Sequence, residues 1–145
     1  MQDRFEIFTK LISRISRNIR RIKTEGVAEF NLKSPHVSCL YYLHKKRKLC
    51  AKKIADMCDE DKAAVSRSID YLEDVGYVIY DNESGRRYKA DLVLTPRGEE
   101  VAAEIVEKID RVISLAGSDL TEEERRIFYL ALEKISNNLD KINEN

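Results

Sequence analysis

Apolar residues at the start of the chain recur at alternating steps of three and four: Phe5, Phe8, Ile12, Ile15, Ile19 and Ile22. That spacing lays them along one stripe of a helix and mimics a coiled-coil seam, so the helix calls for a helical partner. Gly26 and the polar residues around Asn31 close it. Ser34 followed by Pro35 opens a second helix, with serine as N-cap and proline in the first turn. This helix is predicted from Pro35 to about His44, with Val37, Leu40, Tyr41 and Leu43 as its apolar side.

The pattern then shortens. Leu49 is predicted to pack the entry of a short helix holding Ile54, Ala55 and Met57, and the polar run Asp59 to Asp61 makes a turn. Asp59 or Asp61 is placed to cap a following helix over 61–75. Val65, Ile69 and Leu72 fall in one angular sector of that helix. Ala63, Ser66, Arg67 and Asp70 lie on the opposite side, with Lys62 at its edge. One side packs and the other is free to read something. Small and hydrogen-bonding residues beside an arginine suit a DNA major groove, because the helix must come close enough for side chains to reach base edges.

Gly76 stops the helix. Tyr77 to Tyr80 reads as a strand, and Tyr88 to Leu94 alternates, with Ala90, Leu92 and Leu94 inward and Lys89, Asp91 and Val93 outward. The pair predicts a hairpin whose tip, a wing over 81–88, presents Arg86 and Arg87 to phosphates or a minor groove. The order helix, turn, helix, hairpin is a winged helix-turn-helix.

Beyond the hairpin, Thr95 and Pro96 open another helix with Ile105, Ile109, Val112 and Ala116 on one stripe, ended by Gly117. Thr121 and Glu124 form a capping box for a last helix striped by Phe128, Leu132, Ile135, Leu139 and Ile142. A lone winged module leaves both terminal stripes wet. A homodimer with interleaved first, fifth and sixth helices buries them; the alternative is a monomer with those helices folded back on the core. The fold class is therefore mainly α with a small antiparallel β-wing. One domain over 1–145 is expected, with dimerisation helices at 1–30 and 99–145 around a winged lobe at 34–98.

Charge sharpens this picture. The net charge is zero, yet residues 99–145 hold six Lys and Arg against twelve Asp and Glu, and residues 1–98 hold twenty against fourteen. A basic front meeting a polyanion fits the reading helix, although a solvated acidic tail explains the rear equally well. The cations Arg14, Arg17, Arg20, Arg21 and Lys23 of the first helix read as long-range attraction, and Lys45 to Lys48 form a basic run just before the short helix. Enzymatic chemistry finds no foothold: there is no nucleophile motif, no HExxH and no phosphate-cradling glycine loop, and there are only two histidines. No cofactor is expected. His36 and Cys39 stand one turn apart, but His44 is the only other histidine, so no metal site is expected. The three cysteines, Cys39, Cys50 and Cys58, and the absence of a hydrophobic leader or membrane-length run predict a cytoplasmic protein with reduced thiols and no membrane partner. The thiols read as small buried hydrophobes; only Cys50, beside Lys48, Lys52 and Lys53, has a cationic neighbourhood.

The succession KKIADMCDEDKAAVSRSIDYLEDVGYV, followed by a wing containing GRRYKADLVLTPRGEEV, resembles the MarR family of transcriptional regulators, and the likeness covers essentially the whole chain. The resemblance implies a homodimer that sets two reading helices in successive major grooves of a pseudo-palindromic operator in double-stranded DNA, with wings on flanking minor grooves. Lys62, Ala63, Ser66 and Arg67 match the family's reading face, and Arg86 and Arg87 its wing arginines. Gly85 departs, standing where the family commonly has an aspartate that orients those arginines. The family also implies a ligand-responsive repressor with a small anionic or phenolic effector, whose binding residues the sequence does not single out. Thiol-sensing relatives carry a reactive cysteine near the N-terminus, where this chain has none. An alternative from another class is a winged-helix protein-interaction module with little DNA affinity, favoured by Gly85 and by the acids Asp59, Glu60, Asp61 and Asp70 near the reading helix.

Overall fold

The computed structural model describes residues 3–58, 60–81 and 90–144. In chain order come α1 (Arg4–Glu25), a 3-10 turn (Ala28–Phe30), α2 (Ser34–Lys46), β1 (Leu49–Cys50) and α3 (Ala51–Cys58). Then follow α4 (Lys62–Asp74), β2 (Val78–Asp81), β3 (Asp91–Leu94), α5 (Pro96–Ala116) and α6 (Glu122–Asn143). The predicted class holds: the described residues form six α-helices and a small antiparallel sheet. Two compact units divide the chain, Met1–Ile109 and Asp110–Asn145.

In the first unit the core gathers around α2. Val37, Leu40 and Leu43 of α2 meet Ile54 of α3, Val65 and Leu72 of α4, and Leu92 of β3, all at most 1% exposed. Helix α2 packs on α1, α3, α4 and β3, so it is the floor on which the helix-turn-helix rests. Its start differs from expectation. The N-cap is Lys33, and Ser34 is the first helical residue, with a buried hydroxyl that has no hydrogen-bond partner among the described residues. Capping instead comes from three residues on, where His36 Nδ1 accepts the Lys33 backbone N–H at 3.0 Å. The imidazole stacks on Tyr71 of α4, with ring centroids 4.4 Å apart. The helix also runs past His44 to Lys46, and Leu49 enters a strand rather than a helix, because Leu49 and Cys50 pair with Leu92 and Asp91.

The sheet order is β1-β3-β2, all antiparallel. The first wing strand lies one residue later than the predicted Tyr77 to Tyr80, the second is described from Asp91 to Leu94, and the tip, 82–89, lies outside the described residues. Ala90 and Leu92 are buried as expected. At the foot of the wing Asp81 faces Asp91 directly, a like-charge pairing that destabilises a ladder. Lys48 offsets it by donating to Asp81 Oδ2 at 2.5 Å, and Arg47 donates to Glu99 at 3.1 Å. Part of the basic run thus braces the wing's base.

A close approach joins α4, the wing and α5. Helix α4 ends in a double bond, the Gly76 N–H to the Glu73 carbonyl and the Tyr77 N–H to the Leu72 carbonyl, with Gly76 at φ 83. Only glycine takes that conformation without strain. Thr95 then donates its hydroxyl to the Gly76 carbonyl at 2.6 Å and accepts the Gly98 N–H at 3.0 Å, capping α5. A Cβ on Gly98 would stand 1.9 Å from the Tyr77 carbonyl oxygen. Across this contact the Arg97 guanidinium lies over the Tyr77 ring at 5.3 Å.

The second unit holds the end of α5 and all of α6. Thr121 and Glu124 exchange the two capping-box bonds, at 2.9 and 3.1 Å, and Arg125 donates to the Gly117 carbonyl at 3.0 Å. Apolar Phe128, Ile135, Leu139 and Ile142 of α6 are exposed.

Two outcomes follow. Gly98→Ala gains helix propensity of about 1 kcal/mol but must push backbone away from backbone, so the urea midpoint should fall by the equivalent of about 1–3 kcal/mol; an unchanged midpoint would contradict the contact. Burial, and secondarily the charge of Lys33, hold His36 below the ordinary histidine value of 6.5. The unfolded chain then binds more protons than the folded one between the two values. The stability this group contributes is whole above about pH 6.5 and is lost as pH falls toward the lowered folded value. Melting temperature measured from about pH 7.5 down to pH 5 should drop less for His36→Gln than for the parent.

Candidate nucleic-acid interface

Helix α4 is presented by two constraints. Its inner side, Val65, Ser68, Ile69 and Leu72, is buried against the lobe, and Ser68 turns its hydroxyl onto the Ala64 carbonyl at 2.8 Å instead of into the core. Its start is fixed by Asp61, whose Oδ1 accepts the N–H groups of Ala63 and Ala64 at 2.7 and 3.2 Å. The remaining face, Lys62, Ala63, Ser66, Arg67 and Asp70, is exposed. Small residues on α3 let α4 come close: Ala51 and Ala55, four apart, are half-buried against the core. Between α3, α4 and β2 lies a shallow concavity of about 220 Å³, walled by Lys52, Lys62, Ser66, Asp70 and Tyr80 among others.

Known proteins were compared with this arrangement. No family model and no curated protein matches the chain. Solved structures do. A MarR family regulator from Neisseria meningitidis is similar at TM-score 0.84 and 19% identity, each chain covered to 99%. A MarR family regulator from Listeria monocytogenes, complexed with 26mer DNA, is similar at TM-score 0.81 and 24% identity over 96% of this chain and 90% of that one. The chain has the MarR fold. An organohalide-sensing transcriptional regulator in its 2,4-dichlorophenol-bound form is also similar, at TM-score 0.73 and 18% identity over 95% and 86% of the two chains.

On this MarR fold the sequence-derived residues sort into three groups. Lys62, Ser66 and Asp70 are brought together in the concavity. Ala63 and Arg67 share the exposed face of α4 beside it. Arg86, Arg87 and Lys89, with the departing Gly85, lie outside the described residues. Lys52 and Tyr80 were missed. Lys52 was legible as a neighbour of the reading helix, since it follows Ala51 at the start of α3; Tyr80 was read only as a strand former.

The electrostatics of the face are mixed. Exposed Lys52, Lys53, Lys62 and Arg67 stand among exposed Asp56, Asp61 and Asp70. Because Asp61 already occupies two N–H groups at the start of α4, an incoming phosphate gains little from the positive end of the helix dipole. Attraction must come from lysine and arginine side chains.

A second concavity, of about 200 Å³, lies away from this face between α1, α2 and α5. Its walls are mostly apolar, Val37, Tyr41, Tyr42 and Ile109, with Lys23 donating to Ser38 Oγ at 3.0 Å. A lone cation on an apolar wall suits a small aromatic anion.

Asp61→Ala should cost about 0.5–2 kcal/mol of stability by removing the cap, and Asp61→Asn, an equally good cap, should cost far less. Thermal or urea unfolding of the two variants separates cap from charge; equal losses would show that the hydrogen bonds are not what matters.

Proposed function

We propose that this chain is a MarR-family transcriptional regulator that binds a pseudo-palindromic site in double-stranded DNA as a homodimer. Helix α4 enters the major groove and the wing, 81–88, meets the flanking minor groove. The observation that carries this reading is the division of α4: one side sealed into the core, the other exposed and carrying Ser66, Arg67 and Lys62. The similar Listeria regulator complexed with DNA supports it. Ser66 and Arg67 read base edges, whereas Lys52 and the wing cations Arg86, Arg87 and Lys89 neutralise phosphates. The homodimer is supported by uncovered apolar stripes, on α1 from Phe5, 76% exposed, to Ile15, 47%, and on α6 to Ile142, 66%. Patches of this kind mark interfaces.

The regulator acts as a repressor that a small anionic phenol releases from its operator. In this reading the concavity beside Lys23 holds the effector: the ammonium pairs with the phenolate and Tyr41 and Tyr42 flank the ring. The similar regulator bound to 2,4-dichlorophenol supports the ligand class.

Fluorescence anisotropy with a selected duplex tests the first claim. Arg67→Ala should lose about 1–3 kcal/mol and blur preference at one base position. Lys52→Ala should weaken all duplexes alike and reduce the slope of log K against log salt by about 0.9. Saturation should come at two chains per operator; saturation at one chain, or affinity indifferent to salt, would favour the protein-interaction alternative. For the effector, 2,4-dichlorophenol should lower operator affinity in the parent and do so less in Lys23→Ala; equal responses would place the effector elsewhere.

A further inference from the structure

Asp70 is an acid on a face proposed to meet a polyanion, and the proposed function gives it no task. It follows Lys62 and Ser66 along one column of α4, and all three line the concavity of about 220 Å³ beside α3 and β2. The residue is exposed, and its carboxylate forms no hydrogen bond or ion pair with any described residue. Arg67 precedes it by three positions, the spacing at which Glu123 and Arg126 do pair on α6. On a helix the order with the acid first is the better one, and with the order reversed here both heads stay unengaged. The cap of α4 is supplied by Asp61, so no contact of the fold requires an acid at position 70.

We infer that Asp70 is a specificity determinant that selects cytosine in each half-site, accepting a hydrogen bond from the cytosine N4 amino group in the major groove. The inference rests on the DNA-reading role proposed for α4. A carboxylate offers acceptors only. Phosphate oxygens repel it, and so do N7 and O6 of guanine, O4 of thymine and N7 of adenine. Two major-groove donors remain, the amino groups of cytosine and adenine. Adenine carries N7 beside its amino group, so a carboxylate that reaches N6 meets an acceptor as well, whereas cytosine presents the donor alone. Arg67, with donors only, has the opposite preference, the paired acceptors of guanine. Three residues of helix span about 4.5 Å, comparable with a base-pair step of about 3.4 Å, so Arg67 and Asp70 address the same base pair or adjacent ones.

The charge works mainly by exclusion. Against guanine or thymine the carboxylate loses water without gaining a donor, which is costly. Against random duplex it adds repulsion from phosphates. One acid thereby lowers non-specific affinity and raises discrimination at a single position.

Selection from random duplexes with the parent, Asp70→Asn and Asp70→Ala tests the assignment; an exposed side chain without internal partners is replaced without unfolding α4. The parent consensus should hold a cytosine in each half-site, paired with or next to a guanine whose preference Arg67→Ala removes. Replacing that C·G pair by T·A should lower affinity about 5- to 150-fold, the range of one good base contact. Asp70→Asn, which offers a donor and an acceptor, should shift the preference at that position from cytosine to adenine. Asp70→Ala should flatten it and bind random duplex more tightly than the parent does, with the remaining positions unchanged. A parent consensus without cytosine in its half-sites, or one that both variants reproduce base for base, would overturn the assignment while leaving the DNA-reading role intact. No consensus from the parent would sink that role, and the assignment with it.

Discussion

The meeting of Gly98 with the Tyr77 carbonyl, too close for any side chain, is the constraint on which the geometry of the reading head depends. Tyr77 is the residue at which α4 has just ended and β2 begins; Gly98 lies in the first turn of α5. Thr95 bonds both partners of the contact, the Gly76 carbonyl and the Gly98 N–H. The end of the reading helix, the root of the wing and the start of α5 are therefore one rigid junction. Displacing α5 would therefore strain the end of α4 and the root of the wing together.

Rigidity at one end is matched at the other by Asp61. Its carboxylate satisfies two backbone donors and so defines where α4 starts, but it also places negative charge beside a surface proposed to meet phosphates. With Asp56 and Asp70 nearby, the lobe face is not strongly basic. In the proposed DNA-binding role such a surface would bind non-specific DNA weakly and rely on correct base contacts for affinity.

Helix existence and type were most legible where a helix is long and strongly periodic: the stripe from Phe5 to Ile22 and the capping box at Thr121 leave little choice. The division of α4 was legible for the same reason, since Val65, Ile69 and Leu72 repeat at helical spacing. What escaped were features that depend on contacts distant in sequence. Leu49 and Cys50 carry no strand signal of their own and become β1 only because β3 offers an edge. Ser34 looked like a cap by residue type, yet the imidazole of His36 reached the free N–H of Lys33 first. Lys48, read as part of a basic run, is engaged by Asp81, a partner 33 positions away.

The central claim is that this face of α4 distinguishes one DNA sequence from another. Selection of duplexes from a random pool, followed by affinity measurement for the enriched sequence and for random duplex at two salt concentrations, tests it most directly. The account predicts a two-fold symmetric consensus with half-sites about one helical turn apart, bound at least about 10³-fold more tightly than random duplex at physiological salt. A pool that yields no consensus, or an enriched duplex bound no better than random DNA, would contradict it.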